Sequence, residues 1–155
     1  MSYREAAQVC LGRHHKPPSS FNLIHDSAKT AADADWSPPS QGLQAAWNNT
    51  IDATEAAAYC VALAAIEITN GLYAIYRAET QSGADYYLAP EGAQPEDLES
   101  LVRLEVSGMD KATPQTIAAR LKQKLQQIEN GASNTPGIAS VVAFDQLAVE
   151  SVSLP

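Results

Sequence analysis

The sequence predicts an α/β (α+β) protein with a mixed central sheet flanked by helices. Two long helical patterns, one over residues 52–70 and one beginning at Pro114, alternate with short apolar runs that are typical of strands. From residue 52 onward the predicted order is helix, three strands, helix, two strands. Short links favour an antiparallel meander for the first three strands, and the intervening helix makes the fourth strand parallel to the third.

The composition is that of one globular domain over residues 1–155. Hydrophobic residues make up 45% of the chain, which is enough to enclose a single core at this length. No apolar run reaches the ~20 residues that a membrane span requires, and the N terminus lacks the pattern of a secretory signal. We therefore expect a cytoplasmic protein with no membrane partner. In that compartment Cys10 and Cys60 should be buried thiols, with a disulfide between them as the alternative.

The first 50 residues predict an N-terminal helix plus an irregular segment. Ser2-Tyr3-Arg4-Glu5 has the capping-box pattern of a helix start, and residues 21–25 alternate weakly, like a short strand. Residues 28–50 are rich in alanine, aspartate and serine and show no periodic pattern. We expect Trp36 and Trp47 to anchor this segment, because each ring buries a large apolar area.

Residues 52–145 form the predicted core. Asp52-Ala53-Thr54-Glu55 is a second capping box, and Asn70-Gly71 ends that helix. The helix is apolar on nearly every side, which predicts that it is central and buried. Thr113-Pro114 begins the later helix. Predicted strands cover residues 72–78, 84–88, 101–107 and 138–144, with a turn at 81–83 and an edge strand at 147–154.

Glu67 is the only charged residue that the sequence places within residues 56–70. A buried carboxylate is costly unless it is paired or bound to a cation. The helical period puts Glu67 on one face with Cys60 and Ala64, so we predict that it points toward a site on that face. The alternatives are a pairing with an arginine, or a position near solvent at the sheet edge.

Two further acidic residues lie on neighbouring predicted strands. Asp85 begins the second strand, and Glu105 lies in the middle of the third, where Arg103, Glu105 and Ser107 share one face. The carboxylates of Asp85 and Glu105 can therefore converge, and such a pair suits Mg²⁺ or Mn²⁺ when a phosphate and waters complete the ligands. The alternatives are a turn carboxylate at Asp85 and a solvated Arg103–Glu105 stripe.

This arrangement resembles the PD-(D/E)XK, or restriction-endonuclease-like, nuclease superfamily. The segments AAIEIT, GADYYL and RLEVSG supply Glu67, Asp85 and Glu105 at the places where that family carries its acidic residues. The resemblance covers residues 52–145. It implies a restriction-endonuclease-like core, metal-dependent phosphodiester hydrolysis, and a cation held by Asp85 and Glu105 with assistance from Glu67.

One position departs from the family pattern. Ser107 stands where the resemblance implies a lysine, and serine cannot supply the positive charge that stabilises the transferred phosphate. Lys124, on the following helix, is the predicted substitute, and Lys122 points further from the apolar stripe. The alternative is that Lys124 is an ordinary lysine covering apolar surface. Without a substitute, the protein would be an inactive relative.

The net charge of −8 disfavours nucleic acid as a partner, because lysine and arginine dominate contacts with phosphate backbones. The basic patch that could face a phosphate comprises Lys111, Arg120, Lys122 and Lys124. Two hypotheses follow. One is a metal-dependent nuclease, and the other is a catalytically inactive accessory protein that acts through a protein partner or as a homodimer.

Two weaker patterns in the sequence concern its histidines and a pair of adjacent tyrosines. His14, His15 and His25, with Asp26, do not have the spacing of a zinc site, and a surface loop is expected there. Tyr86 and Tyr87 are adjacent tyrosines that could stack a nucleobase. We expect one of the two to lie in the core.

Overall fold

The computed structural model describes residues 2–78, 84–94, 96–97, 100–131 and 135–155. Within these ranges the helices are α1 Tyr3–His14, α2 Gln41–Ala46, α3 Thr50–Asn70 and α4 Pro114–Glu129. The strands are β1 Ser19–His25, β2 Ala28–Ala34, β3 Leu72–Arg77, β4 Tyr86–Pro90, β5 Val102–Met109, β6 Gly137–Ala143 and β7 Ala148–Leu154. All seven strands form one mixed sheet. The predicted α/β class is therefore confirmed, whereas the predicted turn at 81–83 lies outside the described residues.

The strand order is β2-β1-β7-β6-β5-β4-β3. Strands β3, β4 and β5 form the predicted antiparallel meander, and β5 runs parallel to β6 after the crossover through α4. Every residue of β6 is buried, because α3 covers one face of the sheet and α4 the other. The core therefore has two layers of side chains, one on each side of β6.

The N-terminal segment is more regular than predicted. Residues 28–34 form β2, which pairs antiparallel with β1 along its whole length, and residues 41–46 form α2. The prediction that residues 28–50 are irregular is thus wrong for both stretches. The sequence pattern is weak because β2 is an exposed edge strand of mostly small and polar residues, held by backbone pairing rather than by apolar side chains. Trp36 and Trp47 pack against the core, as expected.

Strand β7 is not the predicted edge strand. It lies between β6, to which it is antiparallel, and β1, to which it is parallel. The reason is that the β1–β2 hairpin joins the sheet on the far side of β7. An edge assignment followed from treating the first 50 residues as lying outside the sheet.

The N-cap of helix α3 lies three residues before the predicted capping box. Asn49 is the N-cap, and its side chain accepts hydrogen bonds from the backbone N–H groups of Ile51 and Asp52. Gly71 ends the helix in the left-handed conformation with φ 62°, as predicted. The helix end marked by Gly71 leads directly into β3.

Helix α3 is buried on one side rather than on all sides. Ala57, Ala62 and Ile66 lie in the core, whereas Glu67 and Ile68 are exposed. Alanine explains the error, because it fits a buried or an exposed face and so gives no contrast between them. No helix in the described ranges has both the length and the apolar character needed to cross a bilayer.

The close approach of α3 to β5 depends on Gly108. A Cβ atom at this position would lie 2.6 Å from the Thr54 carbonyl oxygen and 2.8 Å from the Ala58 Cβ. The glycine therefore lets the first half of α3 contact the strand directly. Cys10 and Cys60 are both free thiols, buried and half-buried respectively, and burial raises the pKa of each.

Candidate active site

Strands β4 and β5 separate at the place where the predicted acidic residues lie. Their pairing extends only from Leu88↔Val102 to Tyr86↔Leu104. Asp85 precedes β4, and its N–H donates to the Leu104 carbonyl at 2.7 Å. Beyond this point β4 no longer covers the edge of β5, so the Asp85 side chain stands at the opening between the two strands.

Both oxygens of the Asp85 carboxylate accept hydrogen bonds. The Val106 N–H donates to Oδ2 at 2.7 Å, and the Tyr59 hydroxyl on α3 donates to Oδ1 at 3.0 Å. Residues 82 and 83, to which a turn carboxylate would bond, lie outside the described residues. The two bonds hold Asp85 at the junction of α3 and β5.

Glu105 lies beneath α4 with its side chain only 10% exposed, and Lys124 Nζ donates to its Oε1 at 2.9 Å. Burial raises the pKa of the Glu105 carboxyl above its ordinary value. The hydrogen bond and charge of Lys124 lower that pKa, whereas the charge of Asp85 and a hydrogen bond with it raise the pKa. The structure therefore brings together three of the predicted site residues: Asp85, Glu105 and Lys124.

Arg103 bonds to the end of α4 rather than to Glu105. Its Nη1 donates to the Ile128 carbonyl at 2.8 Å, and its Nε and Nη2 donate to the Thr135 carbonyl at 2.9 and 2.6 Å. A guanidinium at a helix C terminus complements the helix dipole. Arg103 and Glu105 are both buried under α4, so the alternative of a solvated polar stripe is wrong.

Ser107, the position of the missing lysine, is buried and accepts a hydrogen bond from Arg120 Nη1 at 2.6 Å. Arg120 and Lys124 lie one helical turn apart on α4, and Ser107 and Glu105 lie two residues apart on β5. The two spacings match, so each cation reaches one residue of the strand. Helical spacing predicted Lys124 as the cation near Glu105. The contact of Arg120 with Ser107 was not predicted, although this match of spacings was a readable signal.

Glu67 is not part of this arrangement. Glu67 is exposed. It lies eight residues beyond Tyr59, or about 12 Å along the helix at 1.5 Å per residue. The prediction that Glu67 points into the site is therefore wrong, and its alternative position near solvent is the one observed. The physical reason is that the face it shares with Ala64 is the exposed side of α3.

Glu55 is the carboxylate of α3 that lies beside the acidic pair. The Tyr59 hydroxyl is 3.4 Å from Glu55 Oε1 and 3.0 Å from Asp85 Oδ1, so a single hydroxyl lies between the two carboxylates. The spacing Asp52-Ala53-Thr54-Glu55 predicted a capping-box role for Glu55. Because Asn49 caps the helix instead, the Glu55 side chain is available to Tyr59.

Tyr59 is the centre of an aromatic cluster that supports Asp85. Its ring packs against Tyr3 and Tyr86 at centroid distances of 5.3 and 5.5 Å, and the Arg77 guanidinium carbon lies 5.5 Å from the ring centroid. Burial raises the pKa of Tyr59, and the charge of Asp85 raises it further. The hydroxyl therefore remains a protonated donor at neutral pH.

The two adjacent tyrosines on β4 point to opposite faces of the sheet. Tyr86 packs against the core and shares a 2.8 Å hydrogen bond with the Tyr3 hydroxyl. Tyr87 lies on the other face, where its ring is 5.0 Å from that of Tyr76. Both tyrosines are half-buried, and Tyr86 is the one of the two that packs against the core.

A pocket of about 410 Å³ lies where β4 leaves β5. Residues of α3, of the free edge of β5 and of α4 line it: Thr50, Ile51, Thr54, Glu55, Ala58, Val106, Ser107, Gly108, Asp110, Arg120 and Lys124. This volume falls in the range of small-molecule sites. The lining combines two carboxylates with two cations, which suits a polar, charged ligand.

No group of three or more His, Cys, Asp or Glu side chains among the described residues is arranged to hold a metal ion. The donors present are the two carboxylates of Asp85 and Glu105. Mg²⁺ accepts one or two protein carboxylates when waters and substrate phosphates supply the other oxygens. The donor chemistry therefore fits Mg²⁺ or Mn²⁺ with the substrate as a further ligand.

The histidines have separate partners. His14 contacts Asp110 at 2.9 Å, and His15 contacts the Phe144 carbonyl at 2.8 Å. His25 contacts Ser153 at 3.2 Å. The expectation of a surface loop is wrong for His14 and His25, which lie at the ends of α1 and β1.

Comparison with known proteins gives no significant match to any protein-family model, curated protein or solved structure. The resemblance to the restriction-endonuclease-like superfamily therefore stays a prediction.

Proposed function

We propose that this chain is a Mg²⁺- or Mn²⁺-dependent nuclease-like protein that hydrolyses phosphodiester bonds. The observation that carries the proposal is that Asp85 is bonded to β5 next to Glu105, through the N–H of Val106, while Lys124 is bonded to Glu105 itself. Besides burial, the charge of Asp85 contributes to the raised pKa of Glu105. Two carboxylates from adjacent strands beside one cation are what the resemblance implies for such an enzyme. The pocket beside them supplies room for a substrate.

Each residue has a distinct role in this proposal. Asp85 and Glu105 would hold the cation, whose chemistry is Lewis-acid polarisation of a phosphoryl oxygen. Tyr59 and the Val106 N–H orient Asp85. Lys124 stabilises negative charge on the phosphate, in place of the lysine that the resemblance implies at position 107.

The second candidate is a catalytically inactive protein of the same architecture that acts through a protein partner in the cytoplasm. Two observations favour it. The Asp85 oxygens already accept hydrogen bonds from Tyr59 and Val106, and Glu105 is paired with Lys124. The net charge of −8 also opposes binding to a long nucleic acid.

Cleavage assays separate the two candidates. The purified protein is incubated with plasmid DNA, single-stranded DNA and RNA in Mg²⁺, in Mn²⁺ and in EDTA. The nuclease proposal expects metal-dependent cleavage that Asp85→Asn and Glu105→Gln abolish. Glu67→Gln is the matched control, since it removes an exposed carboxylate away from the site, and it should cleave like the wild type.

Two results would contradict the nuclease proposal. One is the absence of cleavage of all three substrates in either metal. The other is equal cleavage by the wild type and Asp85→Asn, which would indicate a contaminating nuclease. The second candidate would be favoured by two results together. One is the absence of cleavage. The other is capture of one specific protein whose binding is lost in a variant of the surface and kept in Asp85→Asn.

A further inference from the structure

We propose that the pocket between α3, β5 and α4 binds a phosphate ester, with Arg120 as its principal contact. This inference rests on the proposed function and deepens it, because it names the group of the substrate that the pocket receives. It also adds a second cation beside Lys124, because Arg120, which the sequence places in the basic patch but which was not the predicted substitute for the missing lysine, is bonded to Ser107.

Arg120 is positioned by a neutral partner. Its Nη1 donates to the Ser107 Oγ at 2.6 Å, and Ser107 is 7% exposed. This bond holds the guanidinium against β5, where it lines the pocket. A guanidinium has about five N–H donors in a planar fork that matches phosphate oxygens, and the bond to Ser107 uses one of them.

The charge of Arg120 distinguishes it from Lys124. Lys124 is neutralised by Glu105 at 2.9 Å, whereas no carboxylate among the described residues lies within ion-pairing distance of Arg120. Arg120 is half-buried, so its charge is partly removed from water without a counterion. An anion in the pocket would supply that counterion.

The two carboxylates of the pocket do not oppose this assignment. Asp110 is ion-paired with Arg13 at 3.6 Å, and His14 Nε2 lies 2.9 Å from the same oxygen. Glu55 contacts the Tyr59 hydroxyl, on the side of the acidic pair. The pocket therefore has a cationic side at Ser107, where Arg120 lies, and an acidic side at Glu55. A phosphate ester accompanied by a divalent cation matches both sides.

Binding is tested without metal, in EDTA, by calorimetry and by amide NMR shifts of the full chain. The probes are inorganic phosphate, a 5′-mononucleotide and a short single-stranded oligonucleotide. Arg120→Gln should weaken binding by about tenfold or more, the loss expected for one charge-assisted contact. Arg120→Lys should fall between that variant and the wild type, because lysine keeps the charge without the fork.

Lys122→Gln is the matched control, since it makes the same change of charge at an exposed position of the same helix. Its affinity should stay near that of the wild type. Ser107→Ala should also weaken binding, because the guanidinium loses its anchor. Tighter binding of the nucleotide or oligonucleotide identifies a nucleic acid phosphate, whereas equal affinities identify a site for the phosphate group alone.

Two outcomes would overturn the inference. One is equal weakening by Arg120→Gln and Lys122→Gln, which would indicate non-specific attraction. The other is the absence of binding of all three probes at millimolar concentration. The assay needs neither metal nor cleavage. Phosphate binding without cleavage would therefore reject only the nuclease, and cleavage with unchanged binding in Arg120→Gln would reject only this site.

Discussion

Lys124 on α4 donates a hydrogen bond to Glu105 on β5 at 2.9 Å, across 19 residues of chain. The pair exists because the crossover helix runs antiparallel to β5 and lies over its polar face. The same packing places Arg120 on Ser107 and the end of α4 on Arg103. Among the described residues, the ion pair is thus one of three polar contacts that join α4 to β5 at the candidate active site.

Loss of this ion pair should affect both stability and cleavage. We expect Lys124→Gln to lower the free energy of unfolding by about 2 kcal/mol, less than the ~3–5 kcal/mol of a fully buried pair, because Lys124 is 18% exposed. Cleavage, where present, should fall by about 100-fold or more. Urea unfolding and initial rates measure the two effects. Stability equal to that of Lys122→Gln would contradict the role assigned to the pair.

The pKa of Glu105 should fall when Asp85 is neutralised. Asp85→Asn removes the negative charge and the hydrogen bond that raise this pKa, so it should move down toward its ordinary value. Carbon-detected NMR titration of the Glu105 carboxyl measures the change, with Glu67→Gln as the control. An unchanged pKa would show that the two carboxyl groups do not interact.

The same pKa sets the sign of a pH effect on stability. Because the folded pKa of Glu105 is raised, the folded protein binds more protons than the unfolded chain above the ordinary value of 4.5. The stability from protonated Glu105 is therefore fully present below pH 4.5 and is lost as the pH rises through the folded pKa. In Asp85→Asn this loss should occur at lower pH, as unfolding curves over a pH series would show.

The Tyr59 hydroxyl should contribute measurably to stability. Tyr59→Phe removes a donor to the Asp85 carboxylate and should cost about 1.5–3 kcal/mol, the range for a hydrogen bond to a charged group. Tyr76→Phe is the matched control, because Tyr76 is exposed and should change by less than about 0.5 kcal/mol. Denaturant midpoints compare the two variants. Equal midpoints would show that the hydrogen bond from Tyr59 to Asp85 does not stabilise the protein.

A side chain at position 108 should destabilise the protein. The Cβ of Gly108→Ala would lie 2.6 Å from the Thr54 carbonyl oxygen, so α3 must move from β5 at a cost of about 1–3 kcal/mol. Gly42→Ala is the contrasting control, since the nearest atom to its Cβ is 4.0 Å away and alanine favours the helix by roughly 0.5–1 kcal/mol. Thermal unfolding should therefore shift in opposite directions for the two variants.

The two glutamates of α3 should differ in their effect on metal affinity. Glu55→Gln removes a negative charge that shares the Tyr59 hydroxyl with Asp85, so it should weaken Mn²⁺ binding. Glu67→Gln should leave it unchanged, because Glu67 is exposed and more than two helical turns from Tyr59. Titration calorimetry with Mn²⁺ measures both. A larger loss in Glu67→Gln would restore the original assignment of that residue.

Local patterns in the sequence determined the starts of α1 and α4, the end of α3 at Gly71, the antiparallel meander, the parallel β5–β6 pair and the acidic residues on neighbouring strands. These features depend on short-range chemistry, such as the caps at Ser2 and Thr113, the glycine at 71 and the alternation along β5. Lys124 also followed from helical spacing, since its reach to Glu105 needs only a helix packed over the preceding strand.

Only the tertiary structure decided which face of α3 is buried, where the first 50 residues lie and which glutamate adjoins Asp85. An alanine-rich helix carries little contrast between its faces, so the contacts with β5 and α1, rather than its own pattern, decide that Glu55 lies beside the Tyr59 hydroxyl and that Glu67 lies away from the site. Strand β2 and the internal position of β7 depend on backbone pairing between distant segments, which side-chain patterns do not record.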